Sequence, residues 1–295
     1  MKYQEFIQTI KEHVISQVSP AHKVIIQPVI KNNGTIYDGL IILDPILNIS
    51  PTIYLNPYYH RYLNGVSLED ICDDILSTYH EHLPKIDFDI SLFKDFSKAK
   101  ENIIMKLVSY SRNEELLQDI PYIRFYDLAI IFAVGVTNFM DEFATILIHN
   151  QHLSLWNTHL EELYSIALKN TPKLLSHRFN PMKELLKPFA DSSISIPLEF
   201  QMYVLTNRIK VHGATCITYP GLLKQLADIF EDNLIIIPSS IHEVLIIPES
   251  TTPKEYTIQD YNDMIEEVNE TQLTDDEILS DHAYIYLRAD EKLIY

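Results

Sequence analysis

Leu234-Ile-Ile-Ile-Pro-Ser-Ser-Ile-His-Glu-Val-Leu-Ile-Ile-Pro248 holds two short aliphatic runs around Pro238-Ser239-Ser240-Ile241-His242-Glu243. A half-exposed strand alternates apolar and polar residues, so unbroken runs of this kind read as strands covered on both faces. The connection between them is short, which makes a β-hairpin in a covered sheet the simplest reading. Its turn collects two hydroxyls, an imidazole and a carboxylate, either as a site or as a turn that satisfies its own backbone.

Downstream of this hairpin the chain turns acidic. Residues 249–281 carry Glu249, Glu255, Asp260, Asp263, Glu266, Glu267, Glu270, Asp275, Asp276, Glu277 and Asp281 against Lys254 alone. Such a run is a solvated helix face or an acidic partner surface. An acidic helix is expected around 257–269, a short helix around 274–280, and a last strand over Ala283–Leu287. Upstream, the lobe begins with a strand Met202–Leu205, a turn at Asn207-Arg208, a strand Ala214–Thr218 after Gly213, and a helix from Pro220 to Phe230 with the proline in its first turn.

The first residues, 3–17, place Phe6, Ile7, Ile10, Val14 and Ile15 at helical spacing. Val24–Ile30 and Ile36–Leu43 then flank Lys31-Asn32-Asn33-Gly34, a hairpin signal. A short strand Thr52–Leu55 leads into Asn56-Pro57-Tyr58-Tyr59-His60-Arg61-Tyr62. Ser67 opens a helix with Asp70 at its third position, and Ile71, Cys72, Ile75 and Tyr79 lie on its apolar stripe, so Cys72 is expected in the core. A soft boundary falls in 84–100. A strand over Asn102–Ser109 and the apolar run Leu128–Val136, a central strand, follow, with Phe143–Ile148 pairing across the turn 138–142. Residues 155–170 form a helix ending before Pro172. The prolines at 172, 181, 188 and 197 mark residues 171–200 as a linker or long excursion.

The expected fold class is α+β, with two or three lobes of largely antiparallel sheet flanked by helices. The lobes are drawn at 1–95, 96–175 and 176–295, or as one continuous domain. The net charge of -18 opposes a broad phosphate-binding face, so nucleic acid is not expected as a partner. Two cysteines, Cys72 and Cys216, make no disulfide framework and no CxxC pair, which fits a reducing cytoplasm. No membrane span is expected, since the apolar run 128–136 is about half the length that one requires.

Chemistry has few places to reside. Ser239, Ser240, His242 and Glu243 are the residue types of a nucleophile, a base and an orienting carboxylate. Adjacent strand residues point to opposite faces, so His242 and Glu243 cannot form a relay in one regular strand, whereas Ser240 and His242 can share a face. The alternative is that these groups satisfy the turn. Tyr58, Tyr59, His60 and Arg61, with Asn207 and Arg208, are candidate binding residues, since Tyr and Arg favour hot spots; packing under the following helix is the competing role for the tyrosines. His80 and His82 stand about 200° apart on a helix and cannot share an ion there. With no HExxH and no phosphate loop, no metal and no cofactor are expected.

Several stretches carry a family resemblance: Ile53–Tyr59, Gly65–Ile71, Tyr126–Ala129, Gly213-Ala214, Leu234–Val244 and Ile278–Tyr286. On these the chain resembles an uncharacterised domain-of-unknown-function family of gut Clostridia. The resemblance implies one evolutionary unit and carries no activity with it. The reading from the residues is a non-enzymatic module that presents the hairpin turn and an acidic helix to a protein partner. Its alternative is a serine-dependent hydrolase using Ser239 or Ser240 with His242, its carboxylate supplied from elsewhere in the fold.

Overall fold

The computed structural model describes residues 1–83, 94–137, 143–186 and 201–295. The turn 138–142, residues 84–93 of the boundary segment and residues 187–200 of the proline-rich segment lie outside the described residues. The fold is α+β, with three antiparallel sheets. Contacts divide the chain into two compact units, Met1–Ile90 with Thr137–Glu142, and Ser91–Val136 with Phe143–Tyr295. No helix among the described residues is long and apolar enough to cross a membrane.

In the first unit, α1 (Tyr3–Gln17), α2 (Leu55–Leu63) and α3 (Leu68–Glu81) pack on the sheet β1 (Lys23–Ile30), β2 (Ile36–Leu43) and β3 (Thr52–Tyr54). Asn33 and Gly34, both at positive φ, turn β1 into β2. Ser67 caps α3 by accepting from the Asp70 N–H. Phe6, Ile10, Leu40, Ile42, Ile71, Cys72 and Ile75 form the buried core, so the stripe read on α3 is its inner face.

The second unit begins with α4 (Phe96–Ala99), β4 (Ile103–Ser109), α5 (Glu114–Leu117), β5 (Tyr122–Phe125), β6 (Leu128–Thr137) and β7 (Phe143–Leu147). β6 stands between β4 and β5 and also pairs with β7, as its apolar run demands of a central strand. After α6 (Asn150–Trp156) and α7 (Leu160–Leu174) come β8 (His177–Pro181), α8 (Met182–Leu186), β9 (Tyr203–Asn207) and α9 (Leu222–Phe230). The hairpin β10 (Leu234–Pro238) and β11 (Val244–Pro248) follows, then α10 (Ile258–Thr271), β12 (Tyr284–Leu287) and β13 (Lys292–Ile294).

Strands β13-β12-β10-β11-β9-β8 form a six-stranded sheet with the hairpin at its centre. Both faces of the hairpin are covered. Leu234, Ile236, Val244 and Ile246 enter the main core with Leu107, Phe132 and Leu226, while Ile235 and Ile247 meet Tyr261 and Ile265 of α10. The acidic helix is therefore the lid on one side of the sheet.

Four local expectations change. Residues 213–218 are a 3-10 helix rather than a strand. Its first five residues are all buried, so its pattern carries no period, and Thr215 Oγ1 accepts from Leu107 N at 3.0 Å instead of extending the ladder. α9 starts after Gly221 at φ 73, which leaves Pro220 outside it. The helix expected over 155–170 is broken at Asn157, φ 51, and α7 then runs through Pro172 to Leu174; a proline in the last turn removes one N–H without ending the helix. The last turn before β12 is a 3-10 turn, Asp275–Glu277. β5, β8 and β13 went unread because short strands with mixed polarity carry little periodicity.

Candidate functional site

The turn at the end of the covered hairpin is pinned from three sides. Ser240 N donates to Glu243 O at 3.2 Å, and the Ser240 hydroxyl accepts from His242 N at 3.0 Å, which closes the turn on itself. Ile241 sends its side chain into the core, donates its N–H to Glu277 O and accepts from Ala214 N. Thr206 Oγ1 donates to His242 O at 2.8 Å. Gly213 lies against the same groups: a Cβ there would stand 2.1 Å from Thr206 Oγ1 and 2.4 Å from His242 O.

The imidazole of His242 is half-buried and both of its nitrogens face other residues. His212 N donates to Nδ1 at 3.3 Å, and the Glu277 carboxylate lies 3.9 Å from Nε2. A nitrogen that accepts a backbone N–H carries no hydrogen, so the neutral ring has its hydrogen on Nε2, toward Glu277. Glu277 is itself held by Thr274, whose hydroxyl donates to its other oxygen at 2.9 Å. The sequence placed Ser240, His242 and Glu243 together; the fold adds His212 and Glu277, and the Ser240 hydroxyl meets the backbone of His242 rather than its ring.

The loop that supplies His212 is strained. Lys210 at φ 58 and His212 at φ 52 both occupy the left-handed region, which costs on the order of 1 kcal/mol or more for a residue with a Cβ. Asn207 braces this loop from beneath: its Nδ2 donates to Val211 O at 2.8 Å and its Oδ1 accepts from Ile209 N at 3.1 Å. Buried in the unit's interior, it ends β9 and opens the turn read at Asn207-Arg208, its carbonyl accepting from Lys210 N at 3.1 Å. Arg208 donates through Nε to Leu174 O at 2.9 Å, capping the carbonyl end of α7. Cys216 lies below, its thiol directed at Thr206 O and pushed up to about 12 by burial.

In the first unit, Tyr59 packs against Tyr3 and Phe6, and the Tyr58 hydroxyl bonds Thr78 on α3 at 3.2 Å. Arg61 pairs with Asp74 at 2.5 Å on an exposed surface, and His60 beside it is exposed.

Asp127, just before β6, is a half-buried junction. One carboxylate oxygen accepts from the Ser280 hydroxyl at 2.6 Å and the other from the Tyr284 hydroxyl, whose ionisation burial and then Asp127 oppose. It follows Tyr126 at φ 57, whose hydroxyl donates to Leu293 O at 2.5 Å. The only signal in the sequence was that both stretches, Tyr126–Ala129 and Ile278–Tyr286, belong to the family resemblance. A shallow groove lies on α9 along Gly221, Lys224, Gln225, Asp228 and Ile229. The ion pairs Lys224–Glu291 and Arg288–Asp228 engage its charges.

The outer face of α10 exposes Asp260, Asp263, Glu266, Glu267 and Glu270, with Met264 and Val268 exposed beside them. Asp260 has a structural role, accepting from the Thr257 hydroxyl at 2.7 Å and from its N–H. The other four oppose the helix: Asp263 and Glu267, and Glu266 and Glu270, are like charges at i,i+4, and the last turn has no basic residue. Each such pair costs roughly 0.2–0.5 kcal/mol, and carboxylates at a helix C-terminus add to the cost.

The chain matches the model of a family of unknown function (DUF5688) over residues 3–288, and it belongs to that family. No curated protein and no solved structure matches it.

Proposed function

We propose that this member of a family of unknown function is a non-enzymatic protein-interaction module. Its docking face is the outer side of α10, continued through the 275–277 turn to the Pro238–Glu243 turn. One observation carries the reading: α10 needs only its inner face, Tyr261 and Ile265, to close the sheet, yet its outer face keeps carboxylates that oppose one another and the helix dipole. Exposed Met264 and Val268 supply apolar contact on the same helix. The partner offers a basic surface, with a modest apolar strip to meet them.

Affinity capture from native lysate tests this, comparing the wild type with Asp263→Lys/Glu267→Lys/Glu270→Lys and with Ser240→Ala/His242→Ala. The expected result is a stoichiometric protein that elutes with salt and is lost from the charge-reversed variant. A stable complex that survives charge reversal counts against the reading.

A second reading, a serine-dependent hydrolase using Ser239 or Ser240 with His242, rests on the Glu277 carboxylate near the imidazole. It requires the ring to give up the His212 N–H and turn toward a serine hydroxyl. Labelling of either serine by a fluorophosphonate probe, abolished in His242→Ala, would put this reading first.

A further inference from the structure

We propose that His242 is a pH-responsive latch for the 208–213 loop: when neutral it holds the His212 N–H, and when protonated it releases that N–H and turns to Glu277. The inference does not depend on partner binding or on hydrolysis.

Three observations meet at this ring. The first is the His212 N–H donated to Nδ1 at 3.3 Å. An imidazolium carries hydrogen on both nitrogens, so it has no lone pair to receive that N–H, and two N–H groups would face each other. The second is the carboxylate of Glu277, 3.9 Å from Nε2, which offers the charged ring a partner. The third is the strain in the loop itself, with Lys210 and His212 both left-handed within three residues. The Thr215 N–H still holds the His212 carbonyl at 3.3 Å, so loss of the bond to Nδ1 frees the N–H side of this strained backbone alone.

Two titratable side chains meet the ring among the described residues. His212, from the loop, has its ring centroid 5.9 Å away, and Glu277 comes from the 275–277 turn. From β9 the neutral Thr206 hydroxyl bonds the His242 carbonyl, and the Cys216 thiol of the 3-10 segment, directed at Thr206 O, stays protonated. Glu243 is the neighbour on the turn itself. The base of the loop is independent of the ring, because Asn207 holds Val211 O and Ile209 N. The change is therefore confined to the His212 end.

The test uses the full chain labelled with 15N-histidine, titrated from about pH 8 to about pH 5, the range in which histidine changes charge. At the upper end the ring nitrogens of His242 are expected to report the Nε2–H tautomer. The His212 amide signal then moves with the same midpoint as the His242 ring. His242→Asn, whose Oδ1 stands in for Nδ1 as an acceptor, holds that amide still across the range. His242→Ala leaves it at its low-pH position throughout. An Nδ1–H tautomer in the wild type overturns the proposal, and so does a His212 amide that titrates unchanged in His242→Asn.

Discussion

Two hairpins built on the same local rule meet different surroundings. β1 and β2 pair eight residues with eight, bury Val24, Leu40 and Ile42, and leave Ile30 and Ile36 at the turn end 69% and 59% exposed. β10 and β11 pair five with five and are covered on both faces, by the main core and by α10. Turn residues close both, Asn33-Gly34 in one and Ser239–Glu243 in the other. What differs is the packing above and below: the first hairpin leaves both strand ends beside its turn exposed, whereas the second turn is tied to Glu277, Ala214 and Thr206.

Core truncation should separate the two hairpins most. Ile236→Ala, at a fully buried site of a central strand, is expected to cost about 4 kcal/mol, and Ile30→Ala less than about 0.5 kcal/mol. Denaturant unfolding measures both, and equal losses would break the contrast.

Added methyl groups come next. Gly213→Ala drives a Cβ onto Thr206 Oγ1 and the His242 carbonyl, neither of which can yield without undoing the turn, and should cost about 3 kcal/mol. Gly39→Ala in β2 meets only the methyls of Thr52 and Val29, at 2.6 and 2.9 Å, which can move outward; about 1 kcal/mol is expected. A larger loss at Gly39 would mean that the first sheet is as tightly packed as the second.

The thiols sharpen the comparison at alkaline pH. Burial raises Cys72 to about 11 and Cys216 to about 12. Both fold as neutral thiols while the unfolded chain ionises near pH 8.5. Their contribution is therefore complete below that pH and is lost as pH rises through the folded values. Thermal melts between about pH 9 and 11 should fall for the wild type and fall less for Cys216→Ala.

The smallest effect tests the outer layer of the second hairpin. Glu267→Lys turns like-charge neighbours at Asp263 and Glu270 into attractive ones and should stabilise α10 by about 0.5 kcal/mol at low salt. A loss of stability instead would show that the acidic face serves the fold.

Much of this was legible along the chain. α1, α3, both hairpins and the central strand β6 were readable because their apolar residues repeat at 3.6 or 2, or run unbroken. The segment 213–218 was misread because a run of consecutive buried residues has no period to show. Breaks at Asn157 and Gly221 escaped because each depends on a single left-handed residue. At the candidate site the turn residues were visible, and so was the reading in which they satisfy the turn, as the Ser240 hydroxyl does for the His242 N–H; that Asn207 props a loop was not.

By itself the sequence determined the α+β class, the hairpin covered on both faces and an acidic helix after it, because each is a pattern written in consecutive side chains. Only the tertiary structure decided which groups meet. Glu277 reaches His242, His212 lends its N–H to the same ring, and Asp127 receives Ser280 from 153 residues away. The physical reason is that such contacts follow from strand order and from how layers pack, and neither leaves a period along the chain.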